Sequence, residues 1–316
     1  LPDVNKKELA GHVVELTKQN IEFNYTFNTP FFGSKQMFIQ LQQDIREWLY
    51  ELEDMGVARI IVANTMLLDF IARQMPELTM KIELSTILHV DTPMQLVAFK
   101  EIDDRIDRVV GNILYNRNFD KLEAFAKTCA KLDMTYEVMV NEFCSTASKN
   151  PGVANMGHCI HRDACYTCHA TNIFKQDALA MRNYPMGNCM AGRASSGADW
   201  LRSNFVLPQH LKYYQMFGIN NFKITGRTAK TPYLLEMAEA YVKEYYSGNL
   251  LKLWKPLETI YSEKDELSEH KHKFDIPAEE LTHFISPWVN GDVDCTMTLC
   301  SDCGYCDRFY ANLTKG

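Results

Sequence analysis

No run of about 18 apolar residues occurs in this sequence, so no segment of it is long enough to cross a bilayer as a helix. The stretch from Leu1 to Leu16 has neither the basic start nor the apolar middle of a secretory signal. The chain is therefore expected in the cytosol, with no membrane partner. Low-complexity segments are missing, and so is any repeat of roughly 20–50 residues. Basic charge is scarce: 33 Lys and Arg stand against 40 Asp and Glu, for a net charge of -7. A nucleic-acid binder usually shows a basic face. The clearest basic cluster here, Lys252 and Lys255 with Lys264 nearby, is thin and mixed with acids. RNA stays open only as an alternative partner held by a local patch. Two hydrolase signatures are also absent, the Gly-x-Ser-x-Gly elbow and the His-Glu-x-x-His helix.

What is present begins with an ordinary globular composition, 46% hydrophobic and 23% charged, over 316 residues, enough for a large buried core. The first half alternates strands and helices. Strands are predicted at Ile21–Asn28, Ala58–Asn64, Met80–Thr86, Arg108–Leu114, Tyr136–Val140 and Asn221–Thr225. Helices are predicted at Lys35–Leu52, Met66–Gln74, Pro93–Glu101, Phe119–Leu132, Pro208–Phe217 and Tyr233–Tyr246. Ala58–Asn64 is nearly all apolar, as a strand buried on both faces should be. Such alternation implies parallel βαβ units. The expected fold is α/β, a complete or broken (β/α) TIM-like barrel, with a doubly wound sheet as the alternative. The barrel-like domain is placed at 1–253 and includes a cysteine-rich insertion at 144–207. A helical, cysteine-rich extension follows at 254–316.

Ten cysteines in a reducing compartment read as metal ligands rather than disulfides. The tail carries Cys295, Cys300, Cys303 and Cys306, spaced Cys-x4-Cys-x2-Cys-x2-Cys. Four thiolates suit a 4Fe-4S cluster or a tetrahedral zinc, and spacing leaves both open. The central group is Cys144, Cys159, Cys165, Cys168 and Cys189, one more than a four-thiolate site needs. His158, His161 and His169 share that stretch, so mixed ligation or a structural zinc is open too. Cys129 falls on the apolar side of its helix and is expected in the core.

Several segments resemble the peptidase U32 family, whose members include collagenase-like proteins. They are LSTILHVDTP (84–93), MVNEFC (139–144), NFVLPQHLKYYQMFGINNFKITGR (204–227) and YLLEMAEAYVKEYYSGNLLKL (233–253). NRNF at Asn116–Phe119 resembles the family's strand-end motif, and the closing GYC resembles the cysteine tail of one subgroup. The resemblance runs from about Ile21 to Leu253. It implies a 4Fe-4S protein, with one or two clusters here, that supports oxygen-independent hydroxylation. Some members act on ring carbons in ubiquinone biosynthesis as paired subunits. Others modify an RNA base with prephenate as oxygen donor, and a few are reported as proteases. Residue by residue, Cys144 matches the family's first cluster cysteine and Cys189 a later one. The middle ligand corresponds to Cys159, Cys165 or Cys168. Where better-known members carry a glycine and a second small residue before the first cysteine, this chain has Glu142 and Phe143.

A redox enzyme is accordingly expected, acting on a small molecule or a peptide. An anionic oxygen donor such as prephenate, and a paralogous partner subunit or a homodimer, are its expected partners. A Cys–His pair built on Cys144 is the peptidase alternative, but a thiolate bound to iron is not available to attack a carbonyl. The catalytic candidates are Lys223, Arg227, Glu142 and His89. Lys223 and Arg227 are expected to bind an anion, or else to pair with a strand-end acid such as Glu142. His89 is a candidate proton donor. Asn28, Tyr25, Asn116 and Arg117 are expected to orient substrate.

Overall fold

The computed structural model describes residues 4–30, 32–142, 196–226, 229–254 and 274–314. Six strands lie in the sheet in chain order: β1 Asn24–Phe27, β2 Arg59–Val62, β3 Lys81–Leu84, β4 Ile106–Val110, β5 Thr135–Met139 and β6 Asn221–Lys223. β1 through β4 pair in parallel, and so do β5 and β6. A doubly wound sheet reverses its strand order partway across. Consecutive order with helical connections is what a (β/α) barrel or a broken barrel requires, and the α/β fold agrees with that expectation. Among the described residues, those up to 111 with 127–136 form one compact unit. The other comprises 112–126, 137–142 and those from 196 onward.

In the first unit, three helices start where a polar side chain takes over orphan amides of the first turn. Asn5 and Glu8 form a reciprocal capping box at the start of α1, Lys6–Lys18. Ser34 caps α2, Lys35–Asp54, which buries Phe38, Ile45, Leu49 and Leu52. Gly56, at φ 85°, turns the chain into β2. Asn64 accepts from Met66 N at 2.8 Å and Leu67 N at 3.2 Å, opening α3, Thr65–Gln74. Pro93 sits in the first turn of α4, Pro93–Ile102. All four residues of β2 are buried, as the apolar run predicts. Its first residue, Arg59, forms a two-pronged contact with Asp107, Nε to Oδ1 at 3.0 Å and Nη2 to Oδ2 at 2.8 Å. A third bond reaches Glu22 at 2.8 Å. These partners hold the Arg59 guanidinium charged inside the fold.

Two strand expectations shift. The strand expected at Met80–Thr86 ends at Leu84, because Ser85 accepts from Ile87 N and starts the 3₁₀ turn Thr86–Leu88. The strand expected at Arg108–Leu114 is Ile106–Val110. Asn112 accepts from Leu114 N at 3.1 Å and starts a 3₁₀ turn, Ile113–Tyr115. Apolar residues in both turns are buried, so composition alone reads as strand. Cys129, on α5 (Phe119–Lys131), is buried as expected.

The second unit is built on a continuous buried run, 201–210, in which Arg202, Ser203, Asn204, Gln209 and His210 are as deep as their apolar neighbours. The run follows the short helix α6, Gly197–Leu201. Residues 197–207, expected within the cysteine-rich insertion at 144–207, are packed scaffold. The rest of that insertion lies outside the described residues. The helix expected at Pro208–Phe217 is a 3₁₀ turn, Pro208–His210, followed by α7, Leu211–Gln215. Gly218, at φ 81°, ends it. Then come α8 (Thr231–Val242), α9 (Ser286–Val289), α10 (Cys300–Cys303) and α11 (Tyr305–Leu313). Among the described residues, no helix is long and apolar enough to cross a membrane.

Candidate functional site

Active residues of (β/α) folds stand just past the C-terminal ends of the strands. At the end of β5, in the second unit, the backbone is firmly anchored. Val140 N donates to Lys223 O at 3.0 Å, and Val206 N donates to Val140 O at 2.9 Å. Asn116 Nδ2 donates to two carbonyls, Met139 O at 2.8 Å and Asn204 O at 2.9 Å. Tyr214 Oη donates to Asn116 O at 2.6 Å. One buried amide thus joins residue 139 to residue 204. Asn141 performs a similar service toward β6. Its Oδ1 accepts from Thr225 N at 2.6 Å and Thr225 Oγ1 at 3.1 Å, and its Nδ2 donates to Thr225 O at 3.0 Å.

Of the expected catalytic set, Lys223 and Glu142 lie in this unit. Lys223 Nζ pairs with Glu137 Oε2 at 3.2 Å, so the acid facing it is on β5 itself. Glu142 is half-buried near Tyr233, whose phenol is pushed up to about 12, mainly by burial. Tyr233 Oη donates to Leu253 O at 2.7 Å. Arg227 lies outside the described residues, as do Cys144, Cys159, Cys165, Cys168 and Cys189. Tyr25, Asn28 and His89 belong to the first unit. Tyr25 meets the Trp48 ring edge-on at 5.8 Å. Asn28 follows β1, with a buried Oδ1. His89 ends the 3₁₀ turn in left-handed backbone, φ 53°.

Arg117 is placed unlike an exposed substrate ligand. It is 5% exposed and packs against three rings, with its carbon 4.9 Å from the centre of Phe205, 5.1 Å from Phe284 and 4.6 Å from Trp288. Nη1 donates to Leu201 O at 2.9 Å, while Nε and Nη2 bond nothing among the described residues. Burial lowers its affinity for a proton, and the groups that oppose this most are Cys306 and then Cys295.

Those two thiols belong to the tail group. Cys295, Cys300, Cys303 and Cys306 all line one small pocket with Arg202, Trp288, Asp294 and Tyr305. None is in a disulfide. Trp288 Nε1 donates to Cys295 Sγ at 3.1 Å, and Arg202 reaches the Cys300 thiol. Burial pushes the Cys306 thiol up to about 12. Among the described residues, no three ligating side chains already stand in a metal-holding array. Arg202 itself is locked between Asp199 and Asp307. Tyr305 Oη donates to Phe284 O at 3.0 Å, and the Tyr310 ring lies against Gly197. The tail is therefore integral to this unit.

The cage around Arg117 has no signal in local spacing. Its parts come from positions 117, 205, 284 and 288; the NRNF segment and the segment 204–227 each contain one of them, and nothing in the sequence joins them.

Comparison with known proteins agrees with the sequence resemblance. The chain is 23% identical over 313 residues to the uncharacterized protease MJ1657 of Methanocaldococcus jannaschii, covering 98% of this chain and 82% of that one. Among solved structures it matches the U32 peptidase Mk0906 at a TM-score of 0.41 and 17% identity, over 59% of this chain and 70% of that one. The family model described as peptidase family U32 matches residues 3–272, and the chain belongs to that family.

Proposed function

We propose that the chain is an iron–sulfur redox enzyme that modifies a small-molecule or peptide substrate, by oxygen-independent hydroxylation or a related reaction. The observation that carries this reading is the double hydrogen bond of Asn116 to Met139 O and Asn204 O. It fixes the chain before Cys144 beside the chain after Cys189, at the C-terminal end of a parallel strand. Cys144 and Cys189 flank this junction in the sequence, and cysteine thiolates are a donor set suited to iron. Cys144 and Cys189 would hold a cluster with one or more of Cys159, Cys165 and Cys168, and it would supply electron transfer. Lys223, held by Glu137 at the end of β6, supplies a cation for a carboxylate-bearing substrate or oxygen donor, with Arg227 four residues on.

The printed name of the Methanocaldococcus relative favours a second reading, peptide-bond hydrolysis. Anaerobic purification of the full chain separates the two. Under the redox reading the native protein is brown, with iron and acid-labile sulfide in equal amounts, and Cys144→Ala and Cys189→Ala each lose metal. A colourless, iron-free protein that cleaves peptides and loses that activity in Cys144→Ala supports the peptidase reading.

A further inference from the structure

Ionised arginine inside a protein is costly unless an anion meets it, and a guanidinium does not escape by losing its proton. Arg59 and Arg202 follow the rule, each with two carboxylates. Arg117 does not. Among the described residues no carboxylate pairs with it. Among those residues one carbonyl and three ring faces meet it, and two of its nitrogens find no partner. Ring faces recover part of the lost hydration. They do not replace a counter-ion.

The groups closest to serving as one are the tail thiols. Cys295 and Cys306 line the same pocket as Trp288, whose ring packs against Arg117. Trp288 lies between, its ring against Arg117 and its indole N–H on Cys295 Sγ. Arg202 lines the same pocket, already balanced by its acids. As neutral thiols these groups offer Arg117 no charge. As ligands of a metal centre they become thiolates.

We propose that Cys295, Cys300, Cys303 and Cys306 ligate a second iron–sulfur centre, a 4Fe-4S cluster, and that Arg117 is its buried counter-cation. Four thiolates around an oxidised cubane leave a dianion, which gives Arg117 its missing partner. Iron is chosen over zinc because three of the ligands follow at successive three-residue steps, Cys300, Cys303 and Cys306. Ferredoxin segments use that run, whereas zinc ribbons supply thiolates in separated pairs. Gly304, at φ 57°, breaks the helix between Cys303 and Cys306, so the last thiolate is not confined to the helical face of the first two. The Trp288 N–H and the Arg202 guanidinium then act on the sulfurs as donors that favour the reduced state. Loading requires the thiols to turn inward from their metal-free positions.

This inference concerns cysteines distinct from the central group, so the two stand or fall apart. Three full-length forms are prepared anaerobically and reconstituted with ferrous iron and sulfide: native, Cys300→Ser/Cys303→Ser, and Cys144→Ser/Cys189→Ser. The tail pair is expected to hold about four fewer iron and four fewer sulfide than native, one cubane. The central pair should keep a reducible cluster with its own EPR signal. A tail variant with native iron, or a central variant with none, overturns the tail site and leaves the central one standing. Zinc retained at the tail in preference to iron overturns it as well. The absence of iron from the central site alone counts against the enzyme reading and not against this one. Arg117 is tested in the central-pair background. Arg117→Met should move the cluster's potential to more negative values, and Arg117→Lys should restore part of the shift. In metal-free protein Arg117→Met should raise the melting temperature, since the uncompensated charge is gone. An unmoved potential would remove Arg117 from the account.

Discussion

The guanidinium carbon of Arg117 lies 4.6 Å from the centre of the Trp288 ring, and the same indole donates to Cys295 Sγ at 3.1 Å. One side chain therefore serves a buried cation with its face and a sulfur with its edge. Trp288→Phe keeps a face, loses the N–H and leaves a cavity. We expect it to cost about 2 kcal/mol in urea unfolding of the metal-free chain. An unchanged midpoint would mean that the cage is not load-sharing.

Asn116 was expected to orient substrate, and its amide is engaged by Met139 O and Asn204 O. Asn116→Ala removes both bonds and strands two buried carbonyls, for a predicted loss of about 2–4 kcal/mol. Asn116→Asp should be worse, because a carboxylate would face acceptors. If Asn116→Ala reduces activity while its unfolding curve overlays the native one, the residue touches substrate instead.

Lys223 and Glu137 form a partly exposed pair, at 3.2 Å. Such pairs contribute at most about 1 kcal/mol, so Lys223→Met should shift stability little. Under the proposed function it should weaken binding of an anionic substrate or donor at least about tenfold, a difference of about 1.4 kcal/mol. A native KM in Lys223→Met, with a collapsed melting temperature, would make the residue a brace.

His210 is buried, with Nε2 2.8 Å from Leu281 O, and desolvation lowers its pKa from 6.5 to about 3. The unfolded chain takes up a proton near the ordinary value, while the folded chain resists until far lower pH. Stability from this group is thus whole above about 6.5 and is lost as pH falls toward about 3. The unfolding free energy should drop by up to about 1.4 kcal/mol per pH unit in that window from His210 alone. His210→Gln should flatten the slope. An equal slope in the variant would assign it to other groups.

A methyl at Gly197 would run into the Tyr310 ring, which joins the last helix to the start of α6. Gly197→Ala should loosen residues 305–313 selectively, seen as faster amide exchange there with little change around Arg59. Uniform loosening would mean that the tail is not a separable layer.

Much of the scaffold is legible in the sequence because its signals are local. The apolar run at 58–64 can only be satisfied by burial on both faces, and β2 is buried throughout. Alternation at regular spacing fixes parallel strands in chain order. The errors fall at strand ends, where Ser85 and Asn112 cap 3₁₀ turns whose apolar residues mimic strand continuation. α1 is not legible in the sequence because it buries only Val13 and so carries no apolar stripe. The buried run 201–210 was divided between a loop and a helix, because Arg202, Ser203 and Asn204 read as surface until their partners are known. The Arg117 cage was illegible for the same reason: its rings are supplied by residues about 90 to 170 positions away, beyond any periodicity.

Iron and acid-labile sulfide per chain, measured on anaerobically purified native protein beside Cys144→Ser/Cys189→Ser, address the central claim most directly. The account predicts equal iron and sulfide in the native chain, with a loss of about one cubane's worth in the variant. Native protein without iron, or a variant that keeps all of it, would contradict the claim.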